Sequence, residues 1–229
     1  LHAKKGLKGS LYIFPNITVT GTSNLIMASI FVKGVQILKN ISIEPEVIDL
    51  INFLNKSGAK IKFIGKRVIS IEGIKELKEG DHEMIGDRIE AFSYLSVAVI
   101  TKGQITVKNV NSSNLGSELN ILKRIGCNLK IDENSIFLKA KKKLNSIKVK
   151  TGPFPNFATD NMPMLLAILT KVKGRSEIVE NIFSNRFMAA PELIRMGADI
   201  KINNNSKFTV EAFNEYNSTI SEESDLNTD

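Results

Sequence analysis

The residues best suited to chemistry lie in one polar stretch near the carboxyl end of the chain. Asp160 follows the proline-flanked loop TGPFPNFAT and stands at the start of an apolar helical run, and Asn185-Arg186 interrupts a later apolar segment. A buried carboxylate on such a loop can deprotonate a substrate hydroxyl as a general base, and arginine suits bidentate binding of carboxylate or phosphate. Asp160 could equally cap the helix that follows. This stretch is therefore the first candidate for a catalytic site.

A second loop, residues 15–21, precedes an apolar helical run in the first part of the chain. It includes Asn16, Ile17, Thr18 and Val19, is rich in hydroxyl groups and ends in Gly21. Helix amino termini present unpaired N–H groups and the positive end of the helix dipole, so the loop could bind a phosphate group. The competing interpretation is that a hydroxyl side chain at position 22 or 23 merely caps the helix.

A third loop holds Asp87 and Arg88 directly before another apolar helical run. Asp87 with Glu90 three residues later resembles a capping box, in which the two side chains satisfy unpaired backbone N–H groups. That pattern explains both acidic residues without a ligand, and a functional role for the loop stays open beside it.

Signatures of the common cofactor and metal sites are missing from the sequence. There is no GxxxxGK[ST], no GxGxxG after a strand and no HExxH. The two histidines, His2 and His82, are too far apart to suggest a metal site. The single cysteine, Cys127, is expected to be a small packed residue and not a nucleophile. We therefore expect neither a metal nor a cofactor.

The elements that carry these loops recur three times along the chain. Lys-Gly followed by a short strand occurs at residues 33–34, 102–103 and 173–174, and a second glycine marker occurs at Gly58, Gly126 and Gly197. Both markers repeat at roughly 70 residues, a period that suits a whole supersecondary unit and is too long for a solenoid repeat.

Each unit is predicted to fold in the order β-α-β-α-β-β, which indicates an α/β protein. First strands are predicted at residues 10–14, 82–85 and 147–150, and first helices at 23–32, 88–100 and 161–170. The second helix should end at the second marker glycine, which can take the left-handed conformation after a helix. The paired closing strands are predicted at 59–63 with 67–71, 128–131 with 135–138, and 198–202 with 207–210.

Composition and charge fit a soluble protein of a reducing cytoplasm. The 229 residues include no apolar run near the roughly 20 needed to span a bilayer and no secretory signal, so no membrane association is expected. The net charge of +7 is compatible with nucleic-acid binding, with attraction of small phosphorylated substrates, or with a solvated lysine-rich surface. Scattered lysines and the lack of tryptophan disfavour nucleic acid, and the solvated surface is the preferred interpretation.

Several long motifs closely resemble the UDP-N-acetylglucosamine 1-carboxyvinyltransferases, a branch of the enolpyruvyl transferase family. They are TGPFPNFATDNMP, IFSNRFMAAPELIRMGADI, GDRIEAFSYLSVAVITKGQITVKNV, and NITVTGTSNLIMASI followed by IEPEVIDLINFLNKSGAKI. They occur in the family's order from about Gly9 to Val210. The shikimate-pathway enolpyruvyl transferases share the fold but are less similar in the FATD and NRFM motifs.

The resemblance implies a fold of two inside-out α/β barrels, each built of three βαβαββ units, with the active site in the cleft between them. Residues 1–80 would be the last unit of the first domain, residues 81–212 two units of the second, and residues 213–229 a polar, acidic tail. The implied reaction transfers an enolpyruvyl group from phosphoenolpyruvate to the 3-hydroxyl of UDP-N-acetylglucosamine. It releases phosphate through a tetrahedral ketal, without a metal, in cytoplasmic peptidoglycan synthesis. The resemblance leaves the oligomeric state open.

The resemblance also implies roles for individual residues. Asp160 matches the carboxylate that touches the sugar 3-hydroxyl, a candidate general base. The 16–19 loop (Asn16, Ile17, Thr18 and Val19) matches the nucleotide-sugar loop, and Ile182 matches a backbone contact to the sugar nucleotide. Four charged residues match further substrate-binding motif positions: Glu44, Asp87, Arg88 and Arg186.

Departures from the family pattern keep a second interpretation open. The family's Lys-Asn pair and cysteine-bearing lid have no counterpart in the sequence, Asn16 replaces a lysine, Gly86 a proline and Phe92 a glycine. The chain also lacks an initiator Met, so we interpret it as a fragment that is inactive by itself. The alternative is a degenerate, noncatalytic remnant that keeps the fold or weak nucleotide-sugar binding.

Overall fold

The computed structural model describes residues 6–183, 186, 188–203 and 207–210. Asn185 and the predicted acidic tail, residues 213–229, lie outside these residues. The chain divides into two compact units between Ile85 and Gly86, five residues beyond the predicted boundary.

The first unit contains one complete repeat. Its elements are β1 (Leu11–Ile13), α1 (Val19–Ser29), β2 (Val35–Lys39), α2 (Pro45–Lys56), β3 (Lys60–Gly65) and β4 (Val68–Glu72). The sheet has the order β1-β2-β4-β3, with β1 parallel to β2 and the other pairs antiparallel. Alternate residues of β4, Ile69 and Ile71, are fully buried and pack with apolar side chains of both helices, including Ile26, Val47 and Ile51.

The second unit contains two further repeats. The first of them comprises α3 (Arg88–Ile100), β5 (Gln104–Lys108), α4 (Gly116–Ile125), β6 (Asn128–Asp132) and β7 (Ser135–Lys139), with the sheet order β5-β7-β6. The other comprises β8 (Lys148–Lys150), α5 (Met162–Leu169), β9 (Ser176–Val179), α6 (Ala189–Arg195), β10 (Ile200–Asn203) and β11 (Lys207–Val210). Its sheet order, β8-β9-β11-β10, is that of the first unit, again with a parallel first pair.

The predicted repeat is confirmed most clearly at the ends of the second helices. The three marker glycines have positive φ values of 97°, 109° and 94°. After each of them the same backbone hydrogen bond closes the helix, from residue 59 to 54, 127 to 122 and 198 to 193, at 2.9 to 3.0 Å. This is the bond of the Schellman motif, which needs a residue that adopts the left-handed region without steric cost.

The strand predicted at residues 82–85 is wrong, because residues 81–87 contain no strand. His82 instead lies against the second helix of the first unit, with Nε2 3.0 Å from Asp49 Oδ1 and its ring 5.5 Å from that of Phe53. These contacts hold the segment on α2, so the middle repeat has three strands where the other two have four.

Both units have an apolar core, and Cys127 belongs to the core of the second. The Cys127 side chain is buried, and this burial raises the pKa of its thiol to about 11. A thiol with such a pKa is neutral near pH 7, which agrees with the predicted packing role. Of the helices in the described residues, none has both the length and the apolar character that a membrane crossing requires.

Candidate functional site

Asp160 lies in a short 3-10 turn, Thr159–Asn161, that leads directly into α5. The loop before it closes on itself, because Gly152 N donates to Phe157 O at 3.0 Å. The side chain of Phe157 is buried, whereas that of Asp160 is 59% exposed. The expectation of a buried carboxylate is therefore wrong: a buried aromatic residue holds the loop, and the carboxylate faces solvent, where a substrate can reach it.

Arg186 forms an ion pair with this carboxylate. Its Nη2 donates to Asp160 Oδ1 at 2.7 Å, and its Nη1 donates to Thr159 Oγ1 at 3.3 Å. The guanidinium also lies 5.2 Å from the ring centroid of Phe183, within the range of a cation–π contact. The structure thus brings together two residues, 26 positions apart, that the sequence analysis had selected separately.

A buried carboxylate, Glu180, joins the Asp160 turn to the segment that carries Ile182. Glu180 is 2% exposed and directly follows β9. Its Oε2 accepts the Thr159 hydroxyl at 2.8 Å, and its Oε1 accepts Ile182 N at 2.7 Å and Phe183 N at 3.1 Å. Ile182 is thereby held by its backbone close to Asp160.

A second buried carboxylate, Glu118 of α4, holds the same turn from the other side. It is 2% exposed, and its Oε1 accepts Ala158 N at 3.2 Å and Asn161 Nδ2 at 3.1 Å. Residues 158–161, named here the 158–161 segment, are therefore fixed by two acidic side chains that come from distant parts of the chain.

Sequence reasoning missed both carboxylates, although a signal for each was present. Glu118 lies on the face of α4 that also buries Ile121, Leu122 and Ile125. Glu180 continues the alternation of Ser176 and Ile178, which are buried along β9. A charged residue where the period requires an apolar one indicates a buried polar contact, since burying an unpaired charge is costly.

A cavity of about 260 Å³ lies beside Arg186 at the amino-terminal end of α5. It is predominantly apolar, and the guanidinium is the charged group in its wall. The lining residues are Met162, Pro163, Leu166, Arg186, Met188, Ala189 and Ala190. The cavity gives the ion pair a concave neighbour within the same unit.

Asp87 and Arg88 lie at the start of α3, where the structure confirms Asp87 as the helix cap, one half of the predicted capping box. Asp87 Oδ1 accepts Ile89 N at 2.7 Å and Glu90 N at 3.2 Å. Arg88 is buried, and its guanidinium lies 5.7 Å from the ring centroid of Phe154, in the loop that leads to Asp160. The structure therefore brings Arg88 to the Asp160 loop, while the Asp87 carboxylate is used as a helix cap.

Two departures from the family pattern near this point have a structural reason. A Cβ atom at Gly86 would lie 2.0 Å from the carbonyl oxygen of Asn109, so the position has no room for a side chain. Phe92 is fully buried and packs edge-on against Phe157, with ring centroids 5.7 Å apart. The larger residue thus supports the loop that presents Asp160.

In the first unit, the 16–19 loop ends in a helix cap. Thr18 Oγ1 accepts Gly21 N at 3.2 Å, and α1 begins at Val19. The predicted helix start at residue 23 and the alternative cap at position 22 or 23 are both wrong, because Thr18 is the cap and Gly21 lies inside the first turn. The hydroxyl of buried Thr22 donates to Thr18 O at 2.6 Å and accepts Ser42 N at 3.0 Å, which ties the loop to the segment before α2.

Glu44 lies in that segment, directly before Pro45, the first residue of α2, and it is buried. Ser42 and Glu44 are joined by a weak contact of 3.5 Å between Glu44 N and Ser42 Oγ. Glu44 is thus linked to the 16–19 loop indirectly, through Ser42 and Thr22. The expectation that this loop and Asp160 line one cleft stays a prediction.

Within the described ranges, no group of three or more histidine, cysteine, aspartate and glutamate side chains is arranged to hold a metal ion. The polar groups around Asp160 are carboxylates, a hydroxyl, an amide and a guanidinium. This set suits proton transfer and the binding of anionic or hydroxyl-bearing molecules.

Comparisons with known proteins agree with the motifs. Residues 3–225 match the family described as EPSP synthase (3-phosphoshikimate 1-carboxyvinyltransferase). A UDP-N-acetylglucosamine 1-carboxyvinyltransferase of Pelagibacter ubique is 43% identical over 204 residues, which are 89% of this chain and 49% of the relative. A protein of the same name from Bartonella henselae is 42% identical over 207 residues, covering 88% of this chain and 48% of the relative. The chain therefore spans about half the length of these curated relatives.

Solved structures agree on the α/β fold. The crystal structure of the enolpyruvyl transferase NikO from Streptomyces tendae superposes with a TM-score of 0.74 at 21% identity, covering 82% of this chain and 45% of that one. EPSP synthase from Acinetobacter baumannii gives a TM-score of 0.67 at 19% identity, covering 90% of this chain and 49% of that one.

Proposed function

The chain belongs to the EPSP synthase (3-phosphoshikimate 1-carboxyvinyltransferase) family, and from this premise we propose that it takes part in enolpyruvyl transfer to UDP-N-acetylglucosamine. The observation that carries the proposal is the exposed Asp160 carboxylate, held at 2.7 Å by Arg186 in the turn before α5. The names of the relatives at 42–43% identity support this acceptor over shikimate 3-phosphate.

In the proposed reaction, the 3-hydroxyl of the sugar attacks C2 of phosphoenolpyruvate while C3 takes up a proton. Asp160 accepts the hydroxyl proton as the new C–O bond forms, which gives a tetrahedral ketal. Loss of phosphate from C2 and of a proton from C3 then restores the double bond. A side chain that is 59% exposed can reach a substrate hydroxyl, as general-base catalysis requires.

The remaining candidate residues bind in this proposal. Arg186 and Arg88 supply positive charge for phosphate or carboxylate groups, because guanidinium groups bind these anions bidentately. The backbone at Ile182 contacts the sugar nucleotide, and the 16–19 loop (Asn16, Ile17, Thr18 and Val19) contacts its diphosphate. We assign Glu44 and Asp87 to the edges of the binding region, Asp87 as the cap that fixes the start of α3.

The same proposal extends to the architecture and the setting. The repeats would belong to two inside-out α/β barrels, of which residues 1–80 and 81–212 supply part. The enzyme would work in the cytoplasm on two soluble substrates, phosphoenolpyruvate and UDP-N-acetylglucosamine, in peptidoglycan synthesis.

The test is phosphate release by the intact protein supplied with phosphoenolpyruvate and UDP-N-acetylglucosamine. We expect release that requires the nucleotide sugar, and a kcat reduced about 10²- to 10⁴-fold in the Asp160→Asn variant, the usual size of a general-base contribution. Shikimate 3-phosphate serves as the control acceptor. Phosphate release with shikimate 3-phosphate but not with UDP-N-acetylglucosamine would overturn the substrate assignment. Binding of UDP-N-acetylglucosamine without turnover would favour the noncatalytic remnant.

A further inference from the structure

We propose that Glu180 is a positioning residue that sets the place of Asp160 through Thr159 and Arg186. The inference rests on the proposed function, in which Asp160 takes the proton of the acceptor. Glu180 does not contact Asp160 itself. It contacts both structural elements on which the Asp160–Arg186 ion pair depends, the turn of Thr159 and the turn of Ile182 and Phe183.

The hydrogen bonds around Thr159 have a fixed direction. The Thr159 hydroxyl donates its one proton to the carboxylate oxygen Oε2 of Glu180, at 2.8 Å. The lone pairs of Thr159 Oγ1 are then left to accept from Arg186 Nη1 at 3.3 Å. Arginine only donates, and its Nη2 donates to Asp160 Oδ1. Glu180 thus determines the polarity of a chain of bonds that ends on Asp160.

The second oxygen of Glu180 fixes the backbone that approaches Arg186. Its bonds to Ile182 N and Phe183 N, at 2.7 and 3.1 Å, hold the turn three residues before the arginine. The Phe183 ring lies 5.2 Å from the guanidinium, so the turn also places an aromatic ring against that group. Thr151 supports the same turn, since its hydroxyl accepts Asn181 N at 2.9 Å.

The burial of Glu180 indicates a role beyond stability. An apolar residue would continue the buried face of β9 without the desolvation cost of a charge. A carboxylate at 2% exposure is retained here, and its three hydrogen-bond donors, the Thr159 hydroxyl and the N–H groups of Ile182 and Phe183, belong to the two turns that hold Asp160 and Arg186. Reacting groups need such support, because a misplacement of about 1 Å can cost on the order of a hundredfold in rate.

The test compares four variants of the intact protein: Glu180→Gln, Thr159→Val, their combination, and Glu177→Gln. Glutamine keeps an acceptor for the backbone N–H groups but presents N–H to Thr159, which removes the acceptor for its hydroxyl proton. We expect Glu180→Gln to lower kcat on the order of a hundredfold, with a smaller change in KM and a melting temperature within a few degrees of wild type. The combination should lose no more than the larger single loss, because both changes break one chain of bonds.

Glu177→Gln is the matched control. It removes a carboxylate charge from β9, three residues before Glu180, but Glu177 is 15% exposed and pairs with the exposed Lys148 and Arg175, so the variant's activity should equal that of wild type. The inference would be overturned if the losses in kcat of the two single variants multiply in the double variant. It would also be overturned if the loss in kcat equals the fraction of the variant that is unfolded. If Glu180→Gln fails to fold, Thr159→Val alone decides, since it should show the same fall in kcat.

A crystal structure of Glu180→Gln tests the inference independently of activity. We expect the bond between Arg186 Nη2 and Asp160 Oδ1 to open or the guanidinium to rotate off Phe183. An unchanged contact between Arg186 and Asp160 in the variant would overturn the positioning role, whatever the activity of the wild-type protein. Lack of turnover in wild type, with the contact broken in the variant, would instead overturn the proposed function and keep the positioning role.

Discussion

The 16–19 loop and the 158–161 segment occupy the same place in two copies of one repeat, between the first strand and the first helix. The 16–19 loop ends in a cap made by its own Thr18, and Thr22, one turn on, ties it to Ser42. The 158–161 segment is held by the buried carboxylates Glu118 and Glu180, which lie 40 and 21 residues from their partners.

The difference follows from what each loop has to do in the proposed function. A loop that binds a diphosphate presents backbone N–H groups at a helix amino terminus, and a local cap is enough to hold the backbone in that conformation. A loop that carries a reacting carboxylate must fix one side chain within a fraction of an ångström, which needs support from residues around it. Two loops at the same place in the repeat are therefore held in different ways, and the loop with two tertiary anchors is the one that carries Asp160.

Removing the Glu118 carboxylate should have the largest effect on stability. Glu118→Ala leaves Ala158 N–H and the Asn161 amide without their buried acceptor, and we expect a loss of about 3 kcal/mol in the free energy of unfolding. Urea unfolding measures it. Glu118→Gln is the matched control, because both bonds go to Oε1 and an amide oxygen can accept them. A loss below about 1 kcal/mol for alanine would show that the segment does not depend on this anchor.

Alkaline pH should lower the free energy of unfolding through Cys127, the one cysteine of the chain, which lies in the second unit. Burial raises the pKa of its thiol from 9.0 to about 11, so the unfolded chain ionises first as the pH rises. The stabilisation is fully present below pH 9.0 and is lost between pH 9.0 and about 11. We expect a loss of about 2 kcal/mol over that range.

The measurement is urea unfolding of wild type and Cys127→Ala at neutral pH and at pH values across that range. The alanine variant should lack this part of the pH dependence, and any alkaline loss that remains would come from other groups. Identical pH profiles for the two proteins would rule out the thiol as the cause.

Removing the local cap of the 16–19 loop should have the smallest effect. Thr18→Ala deletes the oxygen that accepts Gly21 N, and the usual cost of losing such a cap is about 1 kcal/mol. Thr18→Ser keeps the oxygen and should lie near wild type. Thermal unfolding of the three proteins measures the difference. A cost as large as that of Glu118→Ala would remove the distinction between a locally formed loop and one anchored by tertiary contacts.

Much of the fold could be predicted from the sequence because its signals are local. The helix at Arg88–Ile100 has the predicted bounds, since Asp87 is a cap directly before an apolar run. One prediction failed because a longer-range contact decided: His82 binds Asp49 of α2, 33 residues away, and the predicted strand is absent. The other failure is local: the sequence analysis places Gly21 at the end of a loop, but Thr18, three residues earlier, is the helix cap and Gly21 lies inside α1.

The candidate site also has a part that the sequence predicts and a part that only the structure shows. Asp160 and Arg186 were selected by residue type and motif, and those properties belong to the sequence itself. Their contact at 2.7 Å and their shared dependence on Glu180 through Thr159 arise when β9, the turn after it and the start of α5 pack together. The sequence by itself determined the repeat, its helix ends and the chemically competent residues, because capping, periodicity and glycine conformation act over a few neighbouring residues. Only the tertiary structure decided which buried carboxylates hold those residues in place, because a charge is buried only where donors from distant segments meet it.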